Sequence, residues 1–159
     1  MSKNNLLLLS VLIAGLLLLS SCYKEVPEEF VGTWETALTL VEVPLEKGDG
    51  SEDIFVDSVV MGLQISADKL ASGYIGMASF TDVPVKKNPG DAESKGIAYI
   101  VKCGELGKLF PGDPLDPKRI DINLKPIQGE TMGSEINYIS KWAEWFPFMI
   151  ANPEFFRVE

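Results

Sequence analysis

Two cysteines, a spread of carboxylates and no histidine set the chemistry open to this chain of 159 residues. Without histidine there are no Ser-His or Cys-His nucleophile pairs, no imidazole metal ligands and no general base of the commonest kind near neutral pH. Asp113/Asp116 and Asp53/Asp57 are the carboxylate pairs that could serve glycoside hydrolysis as acid and base. They fall in turn or strand-edge settings, where carboxylates are normally solvated. Asp113 and Asp116 could also hold calcium, but the surrounding residues lack the ligand-rich pattern of a calcium loop. No glycine-rich phosphate loop occurs. Cys103 ends the run Ile97-Ala98-Tyr99-Ile100-Val101-Lys102-Cys103 and reads as a small buried apolar residue. With carboxylates alone for company it makes a poor zinc site. The expectation is a protein that is not an enzyme, with no catalytic residues, no metal and no dissociable cofactor.

The other cysteine lies at a sharper chemical boundary. Met1 to Asn5 carries one cation, Lys3. Residues 6–19 are apolar apart from Ser10, and small residues follow. These are the three regions of a secretory signal. A run of 14 residues is short of the roughly 20 needed to span the hydrocarbon of a bilayer. The junction Leu19-Ser20-Ser21-Cys22 resembles the lipobox of bacterial lipoproteins. That resemblance implies a diacylglycerol on the Cys22 sulfur, cleavage just before Cys22, and acylation of the new amino group with a palmitate-like chain. Several acyl chains hold a protein stably where one holds it only marginally. Tyr23-Lys24-Glu25, followed by Glu28-Glu29, resembles the lysine-plus-acid signal of surface lipoproteins of Bacteroidota. The implied address is the cell envelope, anchored by lipid to the outer membrane, on its surface or its periplasmic face.

Residues 1–21 are thus expected to be a signal peptide, 22–29 a tether and 30–159 one domain. After residue 21 the chain carries 13 Lys and Arg against 23 Asp and Glu, a balance of −10. Such a chain has no clustered cations for nucleic-acid phosphates. It is also repelled from an anionic bilayer except through an anchor. With Cys22 consumed as a thioether, Cys103 has no disulfide partner, so an apolar core must carry the stability.

The elements follow from the spacing. Residues 33–43 alternate at first, with Trp34, Leu38 and Leu40 on one face. In residues 54–65, Phe55, Val59, Met61, Leu63 and Ile65 share a side. Residues 74–83 and 97–103 read as further strands, and 85–96 as a long polar loop. Residues 119–127 alternate most cleanly: Ile120, Ile122 and Leu124 face in, and Asp121, Asn123 and Lys125 face water. Residues 134–146 read as a helix, with Ile139, Trp142 and Trp145 or Phe146 at a helical spacing that Met149 continues, Ser134 as N-cap and Pro147 ending or kinking it. Residues 155–158 look like a last strand. Trp142, Trp145 and Phe146 are the candidate ligand-contacting or partner-contacting surface, although a core or plug is the plainer reading of such aromatics.

Many short strands broken by Gly and Pro turns indicate a barrel or sandwich. Phe30-Val31-Gly32-Thr33-Trp34-Glu35 resembles the Gly-x-Trp opening of the lipocalin and calycin superfamily. By that resemblance Gly32 and Trp34 are structural. An arginine late in the chain packs over the tryptophan, Arg157 by position and Arg119 second. Residues 65–74 resemble the strand-turn-strand unit of bacterial lipocalin-like lipoproteins. The expected fold is all-β, an antiparallel lipocalin-like barrel with a short C-terminal helix, or else a β-sandwich or α+β fold. The expected function is binding of a small apolar ligand by a membrane-anchored lipoprotein. The second reading is an accessory protein with a filled core and an aromatic face docked on an envelope partner.

Overall fold

In the computed structural model, which describes residues 26–46, 52–88, 96–140 and 147–158, nearly every element is a strand. The strands are β1 (Gly32–Thr36), β2 (Thr39–Glu46), β3 (Glu52–Val59), β4 (Met61–Ile65), β5 (Leu70–Ile75) and β6 (Ala78–Lys87). They continue as β7 (Tyr99–Leu106), β8 (Lys118–Gln128), β9 (Thr131–Ile139), β10 (Phe148–Ala151) and β11 (Glu154–Val158). Strands β1, β4, β5, β6, β7, β8, β9 and β11 pair antiparallel in that order. β11 returns to pair with β1, Trp34 opposite Arg157, and closes the sheet. This is an eight-stranded, up-and-down, lipocalin-like barrel. A barrel of eight strands has an interior that side chains can just fill, or that can hold one small ligand.

Alternation explains the inside. On β8, Lys118, Ile120, Ile122 and Leu124 are buried, while the residues between them are partly exposed. On β4, Met61, Leu63 and Ile65 point in, as the period of two requires. Tight turns join the strands. Gly76 and Met77 link β5 to β6, and Gly76 takes φ +56°, a conformation glycine adopts without steric cost. The expected strand over 74–83 is therefore the end of one strand, a hairpin turn and most of the next. β6 also runs on to Lys87, into the expected loop.

Two insertions depart from a plain barrel. β2 and β3 form a two-stranded sheet of their own between β1 and β4. They continue from β1 and into β4 as a two-stranded arm, whose β2 lies beside β10 and contributes Val41 and Val43 to the core. The pairing sum shifts by one between Glu35↔Gly62 and Thr39↔Val59, so the β1–β2 side carries an extra residue. That residue reverses the faces. Val41 and Val43 are buried, and Leu38 and Leu40 are exposed, opposite to the expectation for 33–43. The β3–β4 side keeps its parity, and of the five residues expected on one side Val59, Met61, Leu63 and Ile65 are buried while Phe55 is exposed. β10 is the second departure. β10 and β11 both lie along β9 and act as one strand interrupted at Asn152-Pro153.

The helix expected over 134–146 is corrected for its first part. Residues 134–139 belong to β9. Ser134 does not cap a helix; its buried hydroxyl donates to the Pro153 carbonyl at 3.1 Å. Met132, Ser134 and Ile136 all point into the barrel. A small polar residue in the middle of that triplet hides the period of two. Residues 141–146 lie outside the described residues. The tether is also shorter than expected. Val26 is buried, and Glu28–Phe30 form a 3-10 turn against the barrel.

Candidate functional site

One end of the barrel is closed by residues around Trp34. The indole is fully buried and its Nε1–H donates to the Phe30 carbonyl at 3.0 Å. Phe30, also buried, meets the Tyr99 ring edge-on at 4.8 Å between centroids. Arg157 lies over the indole face, with Cζ 4.3 Å from the ring centroid. Its guanidinium donates to the carbonyls of Val31 at 3.0 Å and Glu29 at 2.5 Å. One side chain thus ties the last strand to the segment entering the first. Gly32 has φ +143°, and a Cβ there would sit 2.7 Å from Arg157 Nη1. Arg119, the second candidate for this role, sits on β8 opposite Ile139 instead.

The opposite end is closed by the β7–β8 loop, residues 107–117. Leu109 and Phe110 are buried there. The Met77 N–H donates to the Leu109 carbonyl at 2.9 Å, so the loop grips the β5–β6 turn. A buried ion pair holds the loop in shape. Lys118 Nζ donates to Asp113 Oδ2 at 2.5 Å and to the carbonyls of Leu115 and Gly107. Asp113 in turn accepts from the backbone N–H of Leu109 at 2.7 Å and of Leu115 at 3.1 Å. Both side chains are wholly out of water, and every hydrogen-bonding position of the ammonium is filled. Asp113 is therefore part of a loop clasp, not a solvated partner of Asp116. Sequence reasoning missed Lys118, although its parity with Ile120, Ile122 and Leu124 is the signal that places it inside.

Between the two ends the interior is packed. Trp34, Met61, Leu63, Ile65, Ala71, Ile75, Val101, Ile120, Ile122, Leu124, Met132, Ile136 and Phe155 have relative exposures of 0–1%. Side chains lining a ligand-sized hollow would offer surface to water from within; these offer none. No buried side-chain nitrogen or oxygen among the described residues lacks a hydrogen-bond partner. The inward polar side chains Ser134 and Lys118 thus already have partners within the chain.

Two titratable groups on β7 and β8 are perturbed. Burial pushes the Cys103 thiol up to about 12, and the negative charge of Asp121 adds to the push. Burial also raises the Asp121 carboxyl above its ordinary 3.8, against the opposing pull of Lys102 and Arg119. A thiol held up in this way is a poor nucleophile. Asp53 and Asp57 lie on the exposed strand β3, where the Asp57 carboxylate accepts from the Ser58 N–H at 2.7 Å. Among the described residues no three His, Cys, Asp or Glu side chains gather as metal ligands would.

Leu19, Ser20, Ser21 and Cys22 lie outside the described residues, as do Trp142, Trp145 and Phe146. Large apolar side chains are exposed on the arm, at Leu38, Leu40, Ile54, Phe55, Val56 and Val60, on β10 at Phe148 and Met149, and also at Tyr74, Met77, Phe156 and Val158. The features are those of a closed barrel with side chains packed over both ends and a two-stranded arm that exposes apolar side chains. The chain matches no family model, no curated protein and no solved structure.

Proposed function

We propose that this protein is a lipid-anchored envelope lipoprotein, acylated at Cys22, that acts as an accessory interaction module through its outer surface. The observation that carries the reading is the near-zero exposure of the described inward side chains between two covered ends, which favours a filled core over a ligand-sized hollow. Six exposed apolar side chains on and beside the arm, Leu38, Leu40, Ile54, Phe55, Val56 and Val60, support it. The lipobox-like junction and the signal-like residues before it support the anchor. Carriage of a ligand inside the barrel has no comparable support.

The anchor is tested by the intact mass of the protein extracted from membranes. The proposal expects loss of residues 1–21 and the added mass of acyl chains, both abolished by Cys22→Ser. Simple cleavage without added mass would refute it. The interaction reading is tested by photo-crosslinking in cells from exposed positions on separate surfaces, Phe55, Met77 and Met149. A discrete crosslinked partner from at least one of them is expected, and none from any would end the reading.

A further inference from the structure

From the geometry of the arm we infer a β-strand docking site on the outer edge of β3, fitted to an extended partner segment in which cationic and apolar residues alternate. The inference rests on the interaction reading above. Strand β3 pairs with β2 along its whole length, and among the described residues no strand pairs with its other edge. Every residue from Asp53 to Ser58 is exposed, although Val41 and Val43 of β2, which share the face of Asp57 and Phe55, are buried. Unpaired edges of this length offer a row of backbone donors and acceptors to another chain.

The side chains on that edge say which chain. Asp53, Phe55 and Asp57 point to one face, and Ile54 and Val56 to the other. On the second face Ile54 and Val56 are each 52% exposed, and Leu40 of β2 adds an apolar surface 54% exposed. An incoming strand that alternates cation and apolar residue would place its cations beside the two aspartates and its apolar side chains beside Ile54 and Val56. The arm's own charge selects for that pattern. Strands β2 and β3 contain Glu42, Glu46, Glu52, Asp53 and Asp57 and neither lysine nor arginine.

A second copy of this chain fits poorly. Two-fold pairing centred on Phe55 would set Asp53 against Asp57 of the other copy at both ends. Pairing centred on Val56 would set Phe55 against Asp57. Like charges directly opposite each other destabilise a ladder. The aspartates therefore discourage self-pairing while favouring a cationic strand.

The test titrates the full mature protein with a short peptide alternating lysine and valine, and with a peptide of the same composition whose lysines and valines are grouped in blocks. The alternating peptide should bind saturably, shift the backbone amide signals of residues 53–58, and weaken as salt rises. The blocked peptide should bind at least about tenfold more weakly, and so should the alternating peptide to Ile54→Asn/Val56→Asn, whose replaced side chains are already in water. Equal binding of both peptides, or no effect of the double substitution, would reduce the contact to diffuse charge attraction and overturn the inference. So would self-association through β3 in the absence of peptide, or no saturable binding of the alternating peptide. The in-cell crosslinks separate the two levels. A partner trapped from Met77 or Met149 and not from Phe55 would remove the arm assignment and leave the interaction reading standing.

Discussion

At the scale of single residues, the Asp113–Lys118 pair is the most consequential feature the barrel contains. Both charges are fully desolvated, so removing one strands the other. Lys118→Met should destabilise the fold by about 3–5 kcal/mol, and Asp113→Asn/Lys118→Met should recover part of that loss. Chemical denaturation of the single and double variants measures both. Arg157→Lys keeps the charge but loses the planar stack on Trp34 and the fork onto two carbonyls. It should cost about 1–2 kcal/mol. Asp121 supplies a pH dependence. Its folded pKa lies above its unfolded value, so between the two the folded chain keeps a proton that the unfolded chain has released. Stability attributable to this group therefore falls as pH rises upward from about 3.8, and the loss is complete above the folded pKa. The melting temperature of Asp121→Asn relative to the wild type should accordingly rise between pH 3 and pH 7. Cys103, with its thiol near 12, should react with iodoacetamide at pH 8 far more slowly in the folded than in the denatured chain. Gly32, Trp34 and Arg157 were legible from the sequence because a three-residue motif and a late arginine are local signals. The Lys118 clasp was not, because charge argues for the surface and only the parity of β8 argues for the core.

At the scale of elements, the arm shows what the period of two reveals and what it hides. Alternation placed Phe55, Val59, Met61, Leu63 and Ile65 on one side, because β3 passes into β4 without a change of parity, but only the last four are buried. It misplaced Leu38 and Leu40, because one added residue between β1 and β2 exchanges the faces, and no propensity marks that residue. The start of the expected C-terminal helix failed for a related reason. The inward Ser134 breaks the apolar alternation of β9, while apolar residues further on happen to fall at helical spacing. The arm's two faces should respond differently to substitution. Val43→Ala removes a buried side chain and should cost about 1–2 kcal/mol. Ile54→Asn/Val56→Asn changes exposed positions and should stay within about 0.5 kcal/mol per site. Thermal denaturation of the two variants side by side tests the assignment of the faces.

At the scale of the whole molecule, a closed barrel usually offers its interior for use, and here the interior is occupied by the protein's own side chains. Fold class was readable from strand spacing and turns. Whether an eight-stranded barrel is hollow was not, because that depends on the summed volume of inward residues meeting from distant parts of the chain. Trp34, Phe155, Met61 and Met132 fill the space together. The proposed interaction reading therefore looks to the surface, where an acidic arm exposes apolar side chains. The most direct measurement is a titration of the mature protein with a fluorescent fatty acid. A packed barrel predicts no saturable binding; a stoichiometric site in the wild type, lost when Ile122→Trp enlarges an inward side chain, would show that the interior is a pocket and contradict the reading.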